Sequence, residues 1–206
     1  MIVARYHPVL VALHWFLGAF LLLDLYLGTF LLKTIPNTSP DKLEALWAHM
    51  TGGLFILVLM SLRFVVRSTS TKPSPATAGN ALLDRVAKIS HIGLYVLVFL
   101  MVATGIATAV IGNLFTIVFA HSGANLPATF DDIPSRILHG YIAKALFALI
   151  ALHIIAALYH QFVRRDGLFD RMWFGRRFPA PRRDAGSAPR ALASPPVDRP
   201  IQETVR

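Results

Sequence analysis

Four histidines lie inside long apolar stretches of this sequence, where an ionisable side chain is costly and usually functional. They are His14, His49, His139 and His153. The stretch 137–163 alone carries two of them, His139 and His153, at a separation of 14 residues. That separation is nearly four helical turns, so both rings share one helix face and stand roughly 21 Å apart along its axis. Imidazole at two well-separated depths suits two stacked cofactors better than one catalytic site.

The elements that must position these histidines are membrane-spanning helices. Of the 206 residues, 55% are hydrophobic and only 15% are charged, whereas about 25% are charged in an ordinary soluble domain. The apolar runs do not alternate with polar residues, which excludes strands. The sequence therefore predicts an all-α integral membrane four-helix bundle within residues 1–178, followed by a disordered basic tail, 179–206, rich in Pro, Ala and Arg. The spans are predicted at about 8–32, 43–66, 82–112 and 136–163.

Composition also excludes several classes of chemistry. The sequence has no cysteine, which rules out disulfides, thiolate catalysis, iron–sulfur clusters and covalently attached haem. The formal net charge is +9, but the basic residues flank apolar segments and form no nucleic-acid-binding module. We therefore expect membrane lipid, and no nucleic acid, as a partner.

The distribution of Lys and Arg predicts the orientation. The second connection with its flanks, 63–88, holds five of them, and the region after 163 is rich in Arg. The third connection, 113–135, holds none and carries Asp131 and Asp132. Because cytoplasmic loops carry the excess of positive charge, both termini of this multi-pass membrane protein are predicted to be cytoplasmic.

Orientation and the rise per residue together sort the histidines by depth. His14 and His153 fall towards the cytoplasmic side, and His49 and His139 towards the periplasmic side. Each pair joins different helices, as two axial ligands of one haem must. Paired imidazoles leave no open coordination position and favour electron transfer. The sequence thus predicts two non-covalent b-type haems. Small residues beside the ligands would leave room for the rings: Gly18, Gly52, Gly53 and Gly140.

Other interpretations of these residues stay open. A single histidine of this kind is more often a packed core residue than a ligand, and a zinc or di-iron site would need more acids than Asp24, the sole acid deep within a span. Asp24 and Lys144 lie at similar depth, so we expect them to contact each other or a haem propionate. Arg63 is a candidate for the propionates of the cytoplasmic haem.

Two further histidines, His91 and His160, also fall on the cytoplasmic side. Depth alone does not make the pairing of His14 with His153 unique, because either of these could replace a ligand. Either could instead bind a quinone headgroup, whose reduction needs a titratable group near neutral pH. His160 is the better candidate for this catalytic role and His91 the second.

The chain resembles the bacterial cytochrome b561 family over about residues 5–178. The matching segments are YHPVLVALHW, LWAHMTGG, LMSLRFVVR, ISHIGLYVLV and ILHGYIAKALFALIALHIIAALYH, in this order. The resemblance implies a four-helix bundle with two b haems, held by His14 with His153 and by His49 with His139. Some members are superoxide oxidases that pass electrons from the periplasmic face to ubiquinone. Under that likeness His160 falls at the position of a quinone-site histidine.

The leading functional hypothesis is therefore transmembrane electron transfer in a respiratory chain. The donor would be periplasmic and unidentified, with superoxide as one candidate, and the acceptor would be ubiquinone at the cytoplasmic side. The alternative is a haem-bearing membrane anchor subunit of a larger respiratory complex, similar to those of hydrogenases or formate dehydrogenases. A sensor or a non-redox scaffold would hold no haem, and the paired histidines argue against it.

Overall fold

Four long apolar helices make up the structure, a computed structural model that describes residues 4–74, 80–120 and 122–175. They are α1, Pro8–Thr34, α2, Asp41–Thr69, α3, Ala81–Ile111, and α4, Pro134–Arg164. Each is long and apolar enough to cross a membrane, and no strand occurs within the described ranges. The prediction of an all-α membrane bundle is confirmed. The tail predicted at 179–206 lies outside the described residues.

Local sequence signals explain where the helices begin and end. Pro8 and Pro134 occupy first-turn positions, where a proline costs no hydrogen bond. The Asn80 side chain caps α3 by accepting a hydrogen bond from the Leu82 amide at 2.8 Å. After α3 the backbone reverses at Asn113, which adopts a left-handed φ of 52°.

Two of the helices contain a π-helical turn, which widens the helix by one residue and often marks a functional position. In α1 it comprises Leu27–Leu31, and in α4 it comprises the final turn, His160–Arg164. Beyond the turn in α1, the buried Lys42 ammonium donates to the carbonyls of Leu32 and Ile35. These bonds satisfy carbonyl groups that the end of α1 leaves without helical partners.

The helices pack in two pairs, α1 against α2 and α3 against α4. The central core cluster draws on all four helices: Leu17, Leu25, Ile56, Met60, Val98 and Leu146. The outer faces are also apolar, and side chains such as Val58 and Ile155 are 64% and 62% exposed. A surface this apolar would be a liability in water, so lipid is its natural solvent.

Both described ends of the chain meet at one end of the bundle. The Arg5 guanidinium donates to the Asp170 carbonyl at 2.8 Å, and the Tyr6 amide donates to the Arg171 carbonyl at 3.1 Å. The Arg171 side chain in turn donates to the Ser74 carbonyl of the second connection at 2.7 Å. We call this the terminal end. The opposite end, with connections 35–40 and 112–133, is the far end.

The predicted orientation can be tested with thiol chemistry because the sequence has no cysteine. Ser122, at the far end, and Ser74, at the terminal end, are both exposed. We expect Ser122→Cys to react with a membrane-impermeant maleimide in intact spheroplasts, and Ser74→Cys to react only after permeabilisation, because the basic end stays in the cytoplasm. The reverse labelling pattern would overturn the predicted orientation.

Candidate functional site

Two pairs of histidine rings face each other across the inside of the bundle. The ring centres of His14 and His153 are 6.1 Å apart, and those of His49 and His139 are also 6.1 Å apart. The first pair lies towards the terminal end and the second towards the far end. Two metal–nitrogen bonds of about 2 Å, in line with two imidazoles, would place ring centres about 6 Å apart. Both pairs thus have the separation that bis-imidazole ligation requires.

In the far pair, the tautomer of His49 is fixed by a carboxylate. His49 Nδ1 lies 3.1 Å from Asp24 Oδ1, and both side chains are largely buried. An ionised carboxylate only accepts hydrogen bonds, so Nδ1 carries the proton. The lone pair of Nε2 is then free for a metal, in the arrangement by which carboxylates orient metal-bound histidines.

The partner histidine is fixed by a hydroxyl group. The Thr104 side chain donates to the Leu100 carbonyl at 2.8 Å, and its oxygen lies 3.1 Å from His139 Nδ1. Since the single hydroxyl proton goes to the carbonyl, the oxygen accepts from Nδ1–H. His139 therefore also keeps Nε2 free, and both rings of the far pair are prepared as ligands.

A cavity of about 580 Å³ adjoins the far pair, within the range of about 300–1,000 Å³ usual for cofactor pockets. His49 and His139 line it together with apolar residues such as Val98 and Met101. Gly53, one turn after His49, also lines it, and a Cβ there would meet no protein atom within 4 Å. An open, mainly apolar space beside two prepared imidazoles fits a haem.

Three glycines give the far pair its space. A Cβ at Gly28 would lie 2.8 Å from His49 Cε1, and one at Gly105 would lie 3.2 Å from His139 Cε1. A Cβ at Gly52 would lie 2.7 Å from Asp24 Oδ1. We expected Gly52 to make room for the haem ring, but in the structure that room is taken by the Asp24 carboxylate.

At the terminal end, a third histidine adjoins the pair. The ring centres of His91 and His153 are 5.5 Å apart, which is less than the 6.1 Å between those of His14 and His153. Arg63 is buried on the same side, where it donates to the Leu10 carbonyl at 3.0 Å and acts electrostatically on His14 and His153. Geometry alone therefore leaves His91 as an alternative partner for His153.

Of the two contacts expected for Asp24 and Lys144, with each other or with a haem propionate, the contact with each other is absent. The contact with a propionate stays a prediction. The Asp24 carboxylate is bonded to His49, whereas the Lys144 ammonium lies 5.3 Å from the ring centre of Tyr141, one helical turn away. Two residues at the same depth on different helices contact each other only if both side chains also point towards the same interface. Lys144 nevertheless lines the far cavity, as do Lys33 and Arg136.

His160 lies at the terminal end of α4 and has a partner that the sequence did not suggest. Its Nδ1 is 2.6 Å from Asp166 Oδ2. Burial raises the pKa of the Asp166 carboxyl, but the hydrogen bonds from His160 and the Leu168 amide, with the charges of His160 and Arg164, outweigh it and lower that pKa. Asp166 is thus ionised near neutral pH, and it holds the His160 ring by its Nδ1 atom.

Sequence reasoning missed Asp166, Thr104, Gly28 and Gly105 because each acts on a histidine of another helix turn or another helix. The one sequence signal for their role was the presence of a histidine at the same depth in a neighbouring helix.

Comparison with known proteins agrees with this geometry. Residues 5–175 match the family model described as prokaryotic cytochrome b561. Cytochrome b561 homolog 1 of Escherichia coli strain K12 is 25% identical over 170 residues, which cover 82% of this chain and 96% of that protein. Cytochrome b561 homolog 2 of the same strain is 24% identical over 173 residues, covering 82% and 90%.

A protein of Yersinia pestis named "Probable superoxide oxidase CybB" is 28% identical over 129 residues, which cover 60% of this chain and 72% of that protein. The family match spans most of the chain and all four helices, including both histidine pairs. Membership implies b-type haem and electron transfer in a membrane. This bacterial multi-pass membrane protein belongs to the prokaryotic cytochrome b561 family.

Proposed function

We propose that this protein carries electrons across the inner membrane through two non-covalent b-type haems, from a periplasmic donor to ubiquinone at the cytoplasmic side. The observation that carries the proposal is the presence of two histidine pairs with the same 6.1 Å ring separation at opposite ends of one bundle. Two haems at two depths divide the distance across the membrane into short electron-transfer steps, whereas a single haem would leave half of that distance without a carrier.

The ligands in this proposal are His49 with His139 at the far end and His14 with His153 at the terminal end. When bound, haem supplies one-electron chemistry at an iron that two imidazoles keep closed to oxygen. The protein contributes rigid ligands, since Asp24 and Thr104 hold the two far rings by their Nδ1 atoms. It also excludes water by surrounding the rings with apolar side chains.

Basic side chains near each pair can meet the haem propionates, which are anionic. At the far end, Lys144 lines the cavity. At the terminal end, the buried Arg63 is the nearest candidate, because it already acts electrostatically on both histidines of that pair. Pairing with a carboxylate would offset the cost of keeping this guanidinium out of water.

An anionic donor is favoured by the charges around the far cavity. Lys33, Arg136 and Lys144 line it, against two acids, Asp24 and Asp131. A basic cleft raises the rate of encounter with small anions. Superoxide is such an anion, and a relative carries that activity in its name.

At the terminal end, His160 is the proposed contact for the quinone. Reduction of one ubiquinone takes two electrons, delivered singly, and two protons from the cytoplasm. Asp166 accepts a hydrogen bond from His160 Nδ1, so Nε2 is the atom that would take up a proton from the cytoplasm and pass it to the quinone. The partly exposed Asp166 side chain connects the ring to water. His91 is the second candidate, through its position beside His153.

The alternative, a haem-bearing anchor of a larger complex, would use nearly the same residues. It differs in its donor, which would be an iron–sulfur subunit docked on the far end. A purified chain that reduces ubiquinone with superoxide as the sole donor would exclude this alternative. A chain that does so only with a co-purified partner would support it.

Haem stoichiometry tests the ligand assignment directly. We expect two b haems per wild-type chain, and about one in His49→Ala or His14→Ala, because each variant removes one axial ligand. A pyridine haemochrome assay with reduced-minus-oxidised spectra measures this. His91→Ala is the matched control and should keep both haems. Loss of a haem in His91→Ala, with none lost in His14→Ala, would make His91 the ligand.

The open space beside each pair gives a second test. Gly18 and Gly53 follow His14 and His49 by one turn, and a Cβ at either meets no protein atom within 4 Å. A valine at either position would enter the space proposed for the ring, so Gly53→Val should lose the far haem and Gly18→Val the other. Ala145→Val, on the exposed face of α4, is the control. Full haem content in both glycine variants would contradict the placement of the rings.

The quinone-site assignment predicts slower turnover without loss of haem. His160→Gln should slow ubiquinone reduction about a hundredfold, near the lower limit for a lost proton donor, and Asp166→Asn should slow it less. Stopped-flow oxidation of the pre-reduced protein by a short-chain ubiquinone measures the rate. Arg165→Gln, next to Asp166 but bonded to Phe162, is the control. Haem loss in His160→Gln would instead identify His160 as a ligand.

A further inference from the structure

Asp24 is a carboxylate placed deep in an apolar helix, and its contact is with a proposed haem ligand. Its side chain is 14% exposed, and Oδ1 lies 3.1 Å from His49 Nδ1, whose side chain is 20% exposed. An ionised group in this position is expensive unless a partner offsets its desolvation. The partner here is one imidazole N–H, so the carboxylate is committed to that ring.

The surrounding backbone is shaped for this contact. A Cβ at Gly52 would lie 2.7 Å from Asp24 Oδ1, and a Cβ at Gly28 would lie 2.8 Å from His49 Cε1. Real Cβ atoms do not approach other atoms so closely, so any other residue at either position would force the carboxylate or the ring to move. Gly28 lies in the π-helical turn of α1, one turn after Asp24.

No other histidine of the two pairs has a carboxylate partner in the described part of the chain. His139 is bonded to the neutral hydroxyl of Thr104. At the terminal end, the charged neighbour of His14 and His153 is the cationic Arg63. Within the described residues, the far pair therefore has a carboxylate in contact with one ligand, and the terminal pair has none.

We propose that Asp24 is a positioning residue that holds His49 with Nε2 directed to the iron and lowers the reduction potential of the far-end haem. This inference rests on the proposed role of His49 as a ligand. A carboxylate that accepts the Nδ1 proton makes the imidazole a stronger electron donor, and this stabilises the oxidised iron more than the reduced iron. The effect is in the direction that favours electron flow from the far end to the terminal end.

The basic residues around the far cavity do not cancel this effect. Lys33, Arg136 and Lys144 line the cavity, where they face the donor and the anionic propionates. None of them forms an ion pair with Asp24, which is instead bonded to His49. Asp24 is hydrogen-bonded to the ligand itself. Its effect on the iron is therefore screened less than the effects of Lys33, Arg136 and Lys144.

The test is a spectroelectrochemical titration of Asp24→Asn in a His14→Ala background, which leaves only the far-end haem to titrate. Asparagine keeps the size of the side chain and an oxygen that accepts from Nδ1–H, but removes the charge. We expect a tenfold shift of the iron equilibrium towards the reduced state, which is about +59 mV for one electron. Thr104→Val, which removes a neutral acceptor from His139, is the control and should shift the potential by less than half as much.

A second variant keeps the proposal testable if Asp24→Asn fails to hold haem. Gly52→Ala leaves the charge in place but puts a Cβ against Asp24 Oδ1, so the carboxylate must move from His49. We expect the far-end potential to rise here too. An unchanged potential in the haem-containing variants would overturn the proposal. Retention of both haems in His49→Ala would overturn the ligand role of His49 instead, so the two failures are distinguishable.

Discussion

The structure depends on one constraint, which is that a polar atom inside hydrocarbon must have a partner. An unsatisfied group there costs several kcal/mol, and neither an imidazole nor a carboxylate can turn to water from the middle of a helix. The far pair meets the constraint with Asp24 and Thr104 on the Nδ1 atoms. The Nε2 atoms, which point to neither partner, are the ones that a metal can satisfy. The glycines at this end leave room for these side chains, and the cavity lies beside them.

Depth along the helices was predictable from the sequence, and rotation about their axes was not. Span length and the rise per residue placed His14 with His153 and His49 with His139, and the structure brings each pair to 6.1 Å. The same reasoning paired Asp24 with Lys144 because their depths agree, and that contact is absent. Which face a residue presents is decided by the packing of the helices, and spans that are apolar on all faces carry no sequence pattern that specifies it.

The terminal end is held together by contacts that the sequence pattern also did not predict. The Trp15 indole donates to the Met172 carbonyl at 2.8 Å, and its ring packs against Phe169 and Trp173. The segment after α4 therefore closes over the start of α1, next to His14. Long-range contacts of this kind join residues more than 150 positions apart and leave no periodic signal. Aromatic residues at such a position are typical of the boundary between membrane and water.

The two ends thus offer different surfaces, and the difference matches the physical state of the two reaction partners that we propose. The far end presents a cavity with basic side chains, Lys33, Arg136 and Lys144, and is suited to a small anion that arrives through water. The terminal end presents tightly packed aromatic groups and the His160–Asp166 pair, and is suited to an apolar ring that arrives through lipid and needs protons. A bundle with identical ends could exchange electrons in either direction with either partner. Charge at one end and a proton donor at the other give it a preferred direction.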